Sequence, residues 1–199
     1  MKIVKINHPK GKRPPIQLTV RRCESSVFWS CGFAKEHYLV ADMNRSCKCL
    51  LFEWNGVPVA FVGILNSPRK GLPYSCSISR IVVLPDFQGL GLSTTIFNFV
   101  GGIVKSLSDE EHDYRLYIKT AHKKFGDALS RNPYVRGTSF DGKGRDKKST
   151  QHDIHKYKNR LERVSFCKES IMKPIYGYEF LLKPIKELRD IKREKNNKK

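Results

Sequence analysis

Residues 77–107 read as three elements in immediate succession, and their order restricts the chain to folds in which a buried strand delivers a tight turn to the start of a helix. The run 77–84 is rich in Ile and Val and is stopped by Pro85, the pattern of a strand buried on both faces. Gln88-Gly89-Leu90-Gly91-Leu92-Ser93 follows as a glycine-punctuated turn. Over 94–107, Ile96, Phe97, Val100, Ile103, Val104 and Leu107 then fall on one helical stripe. A strand at 115–121 and a short helix at 123–131 come next, so the order is that of a βαβ unit, which the connection rules make right-handed. At such a turn the first N–H groups of the helix lack carbonyl partners and carry the positive end of its dipole, which suits an anion. Gly89 and Gly91 let the backbone bend and approach a phosphate closely. Neither common nucleotide motif fits: the Lys and Ser/Thr of a P-loop are missing, and the third glycine of the dinucleotide fingerprint would fall at Thr94. Taken alone, the turn is equally a tight connection with no ligand.

The remaining chain adds strands before this segment and polar sequence after it. Residues 1–22 combine a basic loop around 9–15 with an alternating run, 16–20, that reads as an edge strand. Val27, Phe28, Cys31, Phe33 and Ala34 within 24–39 indicate one or two short helices. The β-rich runs 47–54 and 57–65 meet at Asn55-Gly56, a pair that prefers the positive φ angles of a type I′ hairpin turn. Late strands are expected at 164–167 and 176–182, and a polar basic loop at 142–158. At 199 residues the chain suits one domain, 1–183, with 184–199 as a basic helix that frays into a tail.

Composition narrows the partners. The net charge of +19 exceeds what one small phosphate-bearing ligand needs, and it points to nucleic acid or another polyanion; a solvated basic surface is the alternative. His152, His155 and Tyr157 in the basic loop are suited to phosphate contacts and base stacking. No run is apolar for long enough to span a bilayer, and the Lys-rich start lacks the core of a secretion signal. The expectation is therefore a cytoplasmic protein with no membrane partner and with reduced thiols among its six cysteines. Cys47 and Cys49 sit two apart in a strand, point to one face and suit core packing. They lack the spacing of a zinc pair, and His152-x-x-His155 lacks a third ligand, so no metal is expected.

With its flanks, Arg80-Ile81-Val82-Val83-Leu84-Pro85-Asp86-Phe87-Gln88-Gly89-Leu90-Gly91 resembles the acyl-CoA pyrophosphate motif of the GNAT superfamily of N-acetyltransferases, Gln/Arg-x-x-Gly-x-Gly/Ala after a Val-rich strand. Roughly residues 16–134 follow the element order of that superfamily. The resemblance implies a mixed α/β fold, with a central, mostly antiparallel sheet splayed at the acyl-CoA site and flanked by helices. It also implies acetyl-CoA as cofactor and an unidentified amine as acceptor. His37-Tyr38-Leu39, Val59-Ala60-Phe61, the 79–85 strand and Thr120-Ala121-His122 resemble a GNAT-like group of phage and bacterial genomes. More distantly the chain is similar to the phage Mom proteins, which modify adenine in DNA.

The same resemblance implies roles. Strands 77–84 and 115–121 would splay, helped by a bulge. Backbone N–H groups from roughly Val83 would hold the pantetheine arm, one among Ile81, Val82 and Val83 would stabilise the oxyanion, and those of Gln88, Gly89, Leu90, Gly91, Leu92 and Ser93 would hold the pyrophosphate. In the family pattern Asn-x-x-Ala-x-x-Leu-Tyr the Tyr is the acid. With Leu129 aligned on Leu, Lys123 replaces Asn and Ser130 replaces Tyr, so Tyr134, four residues on, becomes the candidate acid, with a packed aromatic as the alternative. The departure at Ser130 also admits a domain that binds CoA or nucleic acid without turnover. Glu36, His37 and Asp42 lie where a base would stand, and His37 has the intrinsic pKa for it. His122 could face the cleft or cap the next helix, and Arg80 could meet a charged acceptor or solvent.

Overall fold

The computed structural model describes residues 2–6, 15–37, 43–139, 141–144 and 174–183. The chain forms two compact units, residues 1–114 and 115–199.

The first unit is an antiparallel meander of five strands, β1 (Lys2–Ile6), β2 (Ile16–Cys23), β3 (Lys48–Trp54), β4 (Val57–Asn66) and β5 (Ser75–Val83), paired in chain order. The β3–β4 hairpin turns at Asn55 and Gly56 with φ of 51° and 80°, the two positive values a type I′ turn requires. The alternating run after Ile16 is not an edge: β1 pairs along it, from Lys2 opposite Val20 to Ile6 opposite Ile16. Lys2 and Lys5 had merged β1 into the basic start of the sequence.

Between β2 and β3 lie α1 (Val27–Ser30) and α2 (Phe33–Glu36). Four residues cannot hold a helix in water, so these turns depend on packing. Phe28 and Phe33 supply it, with ring centroids 5.3 and 5.7 Å from that of Phe61, in a buried cluster with Met43, Cys49, Leu51 and Val82. Cys47 packs against the same cluster, as the spacing of two predicts, and Cys23 stands opposite Cys49 in register. The five described cysteines are free. Burial pushes Cys49 up to about 12 and Cys23 up to about 11, so both stay thiols at neutral pH and act as small apolar side chains. After β5 comes α3 (Leu92–Lys105), which buries Leu92, Ile96, Phe97, Val100 and Val104. It starts two residues earlier than the apolar stripe suggested, and Leu107 lies beyond its end, exposed.

The second unit contains β6 (Arg115–Thr120), α4 (Lys123–Ser130), β7 (Val135–Gly137), β8 (Lys143–Gly144) and β9 (Pro174–Phe180), with β9 antiparallel to β6, β7 and β8. One sheet face carries Tyr117 and Glu179. The Glu179 carboxylate is buried, accepts from the Tyr117 hydroxyl at 3.3 Å, lies 3.6 Å from the Arg115 guanidinium and accepts from Arg136. On the other face, Tyr178 donates to the Gly126 carbonyl at 3.1 Å, and burial pushes its phenol up to about 12. The expected strand at 164–167, most of the basic loop at 142–158 and the tail 184–199 lie outside the described residues.

Gly126 is where α4 meets β9. A Cβ built there would press on the Tyr176 ring, 2.7 Å from Cδ2. In a free helix, alanine would gain about 1 kcal/mol over glycine; here overpacking of about 1–3 kcal/mol outweighs it. Gly126→Ala is expected to lower the urea midpoint of the protein, and a variant more stable than the parent contradicts this packing.

Candidate functional site

Where β5 ends, its last bonds set up the turn. Leu84 N–H donates to the Val59 carbonyl at 3.0 Å, and Pro85–Phe87 makes one 3-10 turn in which Phe87 and Gln88 N–H reach Leu84 and Pro85 carbonyls, each at 3.0 Å. The Gln88 side chain then bends back, its Nε2 donating to the Val83 carbonyl at 2.9 Å, and ties the turn to the strand. Phe87 meets Trp54 of the β3–β4 hairpin edge-on, with centroids 6.1 Å apart. Neither brace was visible in the sequence. The hairpin register supplies the second, because Ala60 stands opposite Val83 and so brings the hairpin tip to the end of β5.

Gly89 and Gly91 have φ of +79° and +74°, and among the described residues no atom beyond the chain neighbours lies within 4 Å of a Cβ built on either. The glycines serve the backbone, and the space beside them is open. Gly91 is the N-cap of α3 and brings no side-chain acceptor to it. The first bond into the helix runs from Thr95 N–H to the Gly91 carbonyl at 3.3 Å, so the N–H groups of Leu92, Ser93 and Thr94 have no carbonyl within the helix. The Leu92 side chain is buried and anchors the helix start, which leaves its backbone N–H as the group it can offer a ligand. No acidic residue stands in the first turn of α3. Open space, donors without a carbonyl in the helix and a helix N-terminus free of carboxylates together fit an anion with several oxygens.

Upstream in β5, Gly63 pairs with Arg80 and Ile64 with Ile78, leaving Ser79 as a bulge. Such an extra residue twists and bends its strand. Arg80 folds over it, its guanidinium donating to the Ser79 carbonyl at 2.8 Å. Ile81, Val82 and Val83 resume pairing with Val62, Phe61 and Ala60 and lead straight into the turn, so 81–83 and 88–93 form one continuous feature.

The side-chain candidates are not gathered in the same way. Glu36, exposed at the end of α2, and His37 belong to the first unit, and the His37 ring stands 6.2 Å from Phe28. Asp42 lies outside the described residues. Ser130 and Tyr134 belong to the second unit. Ser130 is exposed and donates to the Asp127 carbonyl at 2.9 Å. Tyr134 is 37% exposed, with the rest of its surface covered. His122 caps α4, its Nδ1 accepting from Phe125 N–H at 3.2 Å. No cluster of three metal-ligating side chains occurs among the described residues, and no described helix is long and apolar enough to cross a membrane.

A positive φ at a residue with a Cβ costs roughly 1–2 kcal/mol. Gly91→Ala is expected to lose about that much stability in urea unfolding, without a steric clash; a variant as stable as the parent contradicts the left-handed assignment.

The sequence profile of the acetyltransferase (GNAT) family matches residues 19–121, just over half of the chain. No curated protein matches the sequence. Among solved structures, an acetyltransferase of the GNAT family from Streptococcus pneumoniae superposes with a TM-score of 0.54 at 13% identity, covering 83% of this chain and 99% of that one. The IAA acetyltransferase from Bacillus cereus ATCC 14579 gives 0.53 at 13%, with coverage of 83% and 99%. The protein yncA from Salmonella typhimurium, solved with its cofactor acetyl-CoA, gives 0.54 at 11%, with coverage of 83% and 94%. At these identities the likeness shows a shared mixed α/β fold.

Proposed function

This chain belongs to the GNAT family of acetyltransferases, and from that premise we propose that it transfers the acetyl group of acetyl-CoA to an amine by direct attack. The observation that carries the reading is the turn 89–94, where the N–H groups of Leu92, Ser93 and Thr94 have no carbonyl within the helix and the space beside Gly89 and Gly91 is open among the described residues, which suits a pyrophosphate.

Acetyl-CoA supplies an acetyl group activated as a thioester. The backbone N–H groups of Gly89 to Ser93 would hold its pyrophosphate. Val82 N–H is spent on the β4 ladder, and the N–H groups of Ile81 and Val83, which the β4 pairing turns away from β4, would align the pantetheine arm. One of the latter donates to the carbonyl oxygen as negative charge develops there. Alignment of a neutral amine with the thioester carbon supplies much of the rate. The new C–N bond forms as C–S breaks, the sulfur takes a proton from an acid, and a base takes the proton the amine gives up. Tyr134 is the stronger candidate acid, since the Ser130 hydroxyl already donates to a carbonyl. Glu36 and His37 are the candidate bases.

A second reading is a nucleobase-modifying enzyme on the same scaffold, comparable with the adenine-modifying Mom proteins. Charge favours it: residues 115–199 hold 24 Lys and Arg against 10 Asp and Glu, a net +14 of the chain's +19. It requires a new mass on adenine after incubation of DNA with the protein. A third reading, CoA binding without turnover, follows from Ser130 standing where the family pattern has Tyr.

Gly91→Glu places bulk and negative charge in the open space beside the turn, and it is expected to abolish acetyl-CoA binding in calorimetry. Parent-like affinity would remove the pyrophosphate from this turn. Tyr134→Phe is expected to lower kcat by about 10²-fold with acetyl-CoA affinity unchanged; an unchanged kcat takes the acid role away from Tyr134.

A further inference from the structure

The tip of the β3–β4 hairpin is apolar where its turn does not require it. Asn55 and Gly56 make the turn, while Trp54 and Val57, opposite each other on either side of it, are 39% and 53% exposed. A tryptophan left at the surface forgoes the burial that so large a ring gains in a core.

Two contacts hold this tip to the turn that leads into α3, and both lie within the first unit. Phe52 pairs with Ala60 but Glu53 with Pro58, so Val59 is an extra residue on β4. Such a bulge increases the local twist and re-aims neighbouring side chains. The Val59 carbonyl, left over by β3, accepts from Leu84 N–H at 3.0 Å as the chain leaves β5. Beside this bond the Trp54 ring meets the half-buried Phe87 ring, with centroids 6.1 Å apart and planes at 78°, so the two rings make a corner. Phe87 closes the 3-10 turn and stands two residues before Gly89, a span of at most about 7 Å. Beside Gly89 the space is open among the described residues.

We infer that Trp54, braced by Phe87, forms the adenine subsite for acyl-CoA, with the base stacked on the indole while the turn holds the pyrophosphate. The inference rests on that placing of the pyrophosphate at residues 89–94. In acyl-CoA a single ribose joins the adenine to the pyrophosphate, a separation of the same order as the span from Gly89 to Phe87. Every base has a π-face, and an exposed indole is the widest aromatic platform a side chain can offer it. Charge favours the base over a further phosphate at this corner. Glu53 and Asp86 directly precede the two rings, Asp86 is exposed, and Glu53 is bound by Arg21 at 3.2 Å. A neutral purine meets no repulsion from these carboxylates, whereas a phosphate beside Asp86 does.

Trp54 reports on its own occupancy. The chain has two tryptophans, so Trp29→Phe in the full chain leaves Trp54 as the only one emitting. Saturating acetyl-CoA is expected to quench that emission, because a stacked purine covers the indole. Saturating S-acetyl-4′-phosphopantetheine, which keeps the thioester arm and lacks the adenosine, should leave it unchanged. Calorimetry supplies the matching affinities. Trp54→Ala is expected to bind acetyl-CoA at least about fivefold more weakly than the parent, and Trp54→Phe, which keeps a ring, within about threefold of it. Toward S-acetyl-4′-phosphopantetheine, Trp54→Ala should match the parent, and thermal unfolding checks that each variant is folded. Equal losses toward both ligands would make Trp54 a brace of the turn alone and overturn the inference. Parental acetyl-CoA affinity in Trp54→Ala, or emission that does not respond to bound acetyl-CoA, overturns it too and leaves the pyrophosphate at the turn. A parent protein that binds no acetyl-CoA overturns both the subsite and the reading it rests on.

Discussion

Gly89 and Gly91 must both hold positive φ for the chain to pass from the end of β5 at Val83 into α3 at Leu92. This is a constraint on the backbone, and a side chain at either place would strain it. Meeting it fixes where α3 begins, and therefore which donors at its start lack acceptors. The neighbouring contacts serve the same end. Gln88 ties the turn back to Val83, Phe87 leans on Trp54, and the buried Leu92 side chain holds the helix start against the sheet.

The sheet beneath the turn is held from the opposite direction. Phe61 on β4 lies under both Phe28 and Phe33, so two helices of one turn each depend on a single ring for their place. Those helices carry the chain to Glu36 and His37, which ties the position of both candidate bases to core packing rather than to local helix preference. In the second unit a comparable dependence runs through Gly126. Its missing Cβ admits Tyr176 and its carbonyl receives Tyr178, so β9 is locked to α4 by one small residue. The aligned family pattern has Ala at this position, and the bulk of Tyr176 explains why glycine stands here.

What could be read in advance was whatever the backbone dictates locally. Asn55-Gly56 demanded a hairpin turn, the Gly89 to Gly91 segment demanded a tight turn before a helix, and the apolar stripe from Ile96 to Val104 demanded a buried helix face; all three are present. Features made by contacts across long sequence separations were not legible. The five residues of β1 hid among lysines, and the three of β7 carry too short a pattern to count. The Tyr176 ring against Gly126 joins positions fifty residues apart with no motif to announce them. The same division separates the turn, written in consecutive residues, from the acid and base, whose candidates come from distant parts of the chain.

The central proposal is that the backbone donors at the start of α3, which have no carbonyl within the helix, hold an acyl-CoA pyrophosphate, and amide hydrogen exchange across residues 85–105 tests it most directly. With saturating acetyl-CoA, the amides of residues 89–94 should become protected, while those deeper in α3, already bonded within the helix, should change little. Exchange at 89–94 that is identical with and without acetyl-CoA would contradict the account, and would leave the two glycines as a tight connection between a strand and a helix.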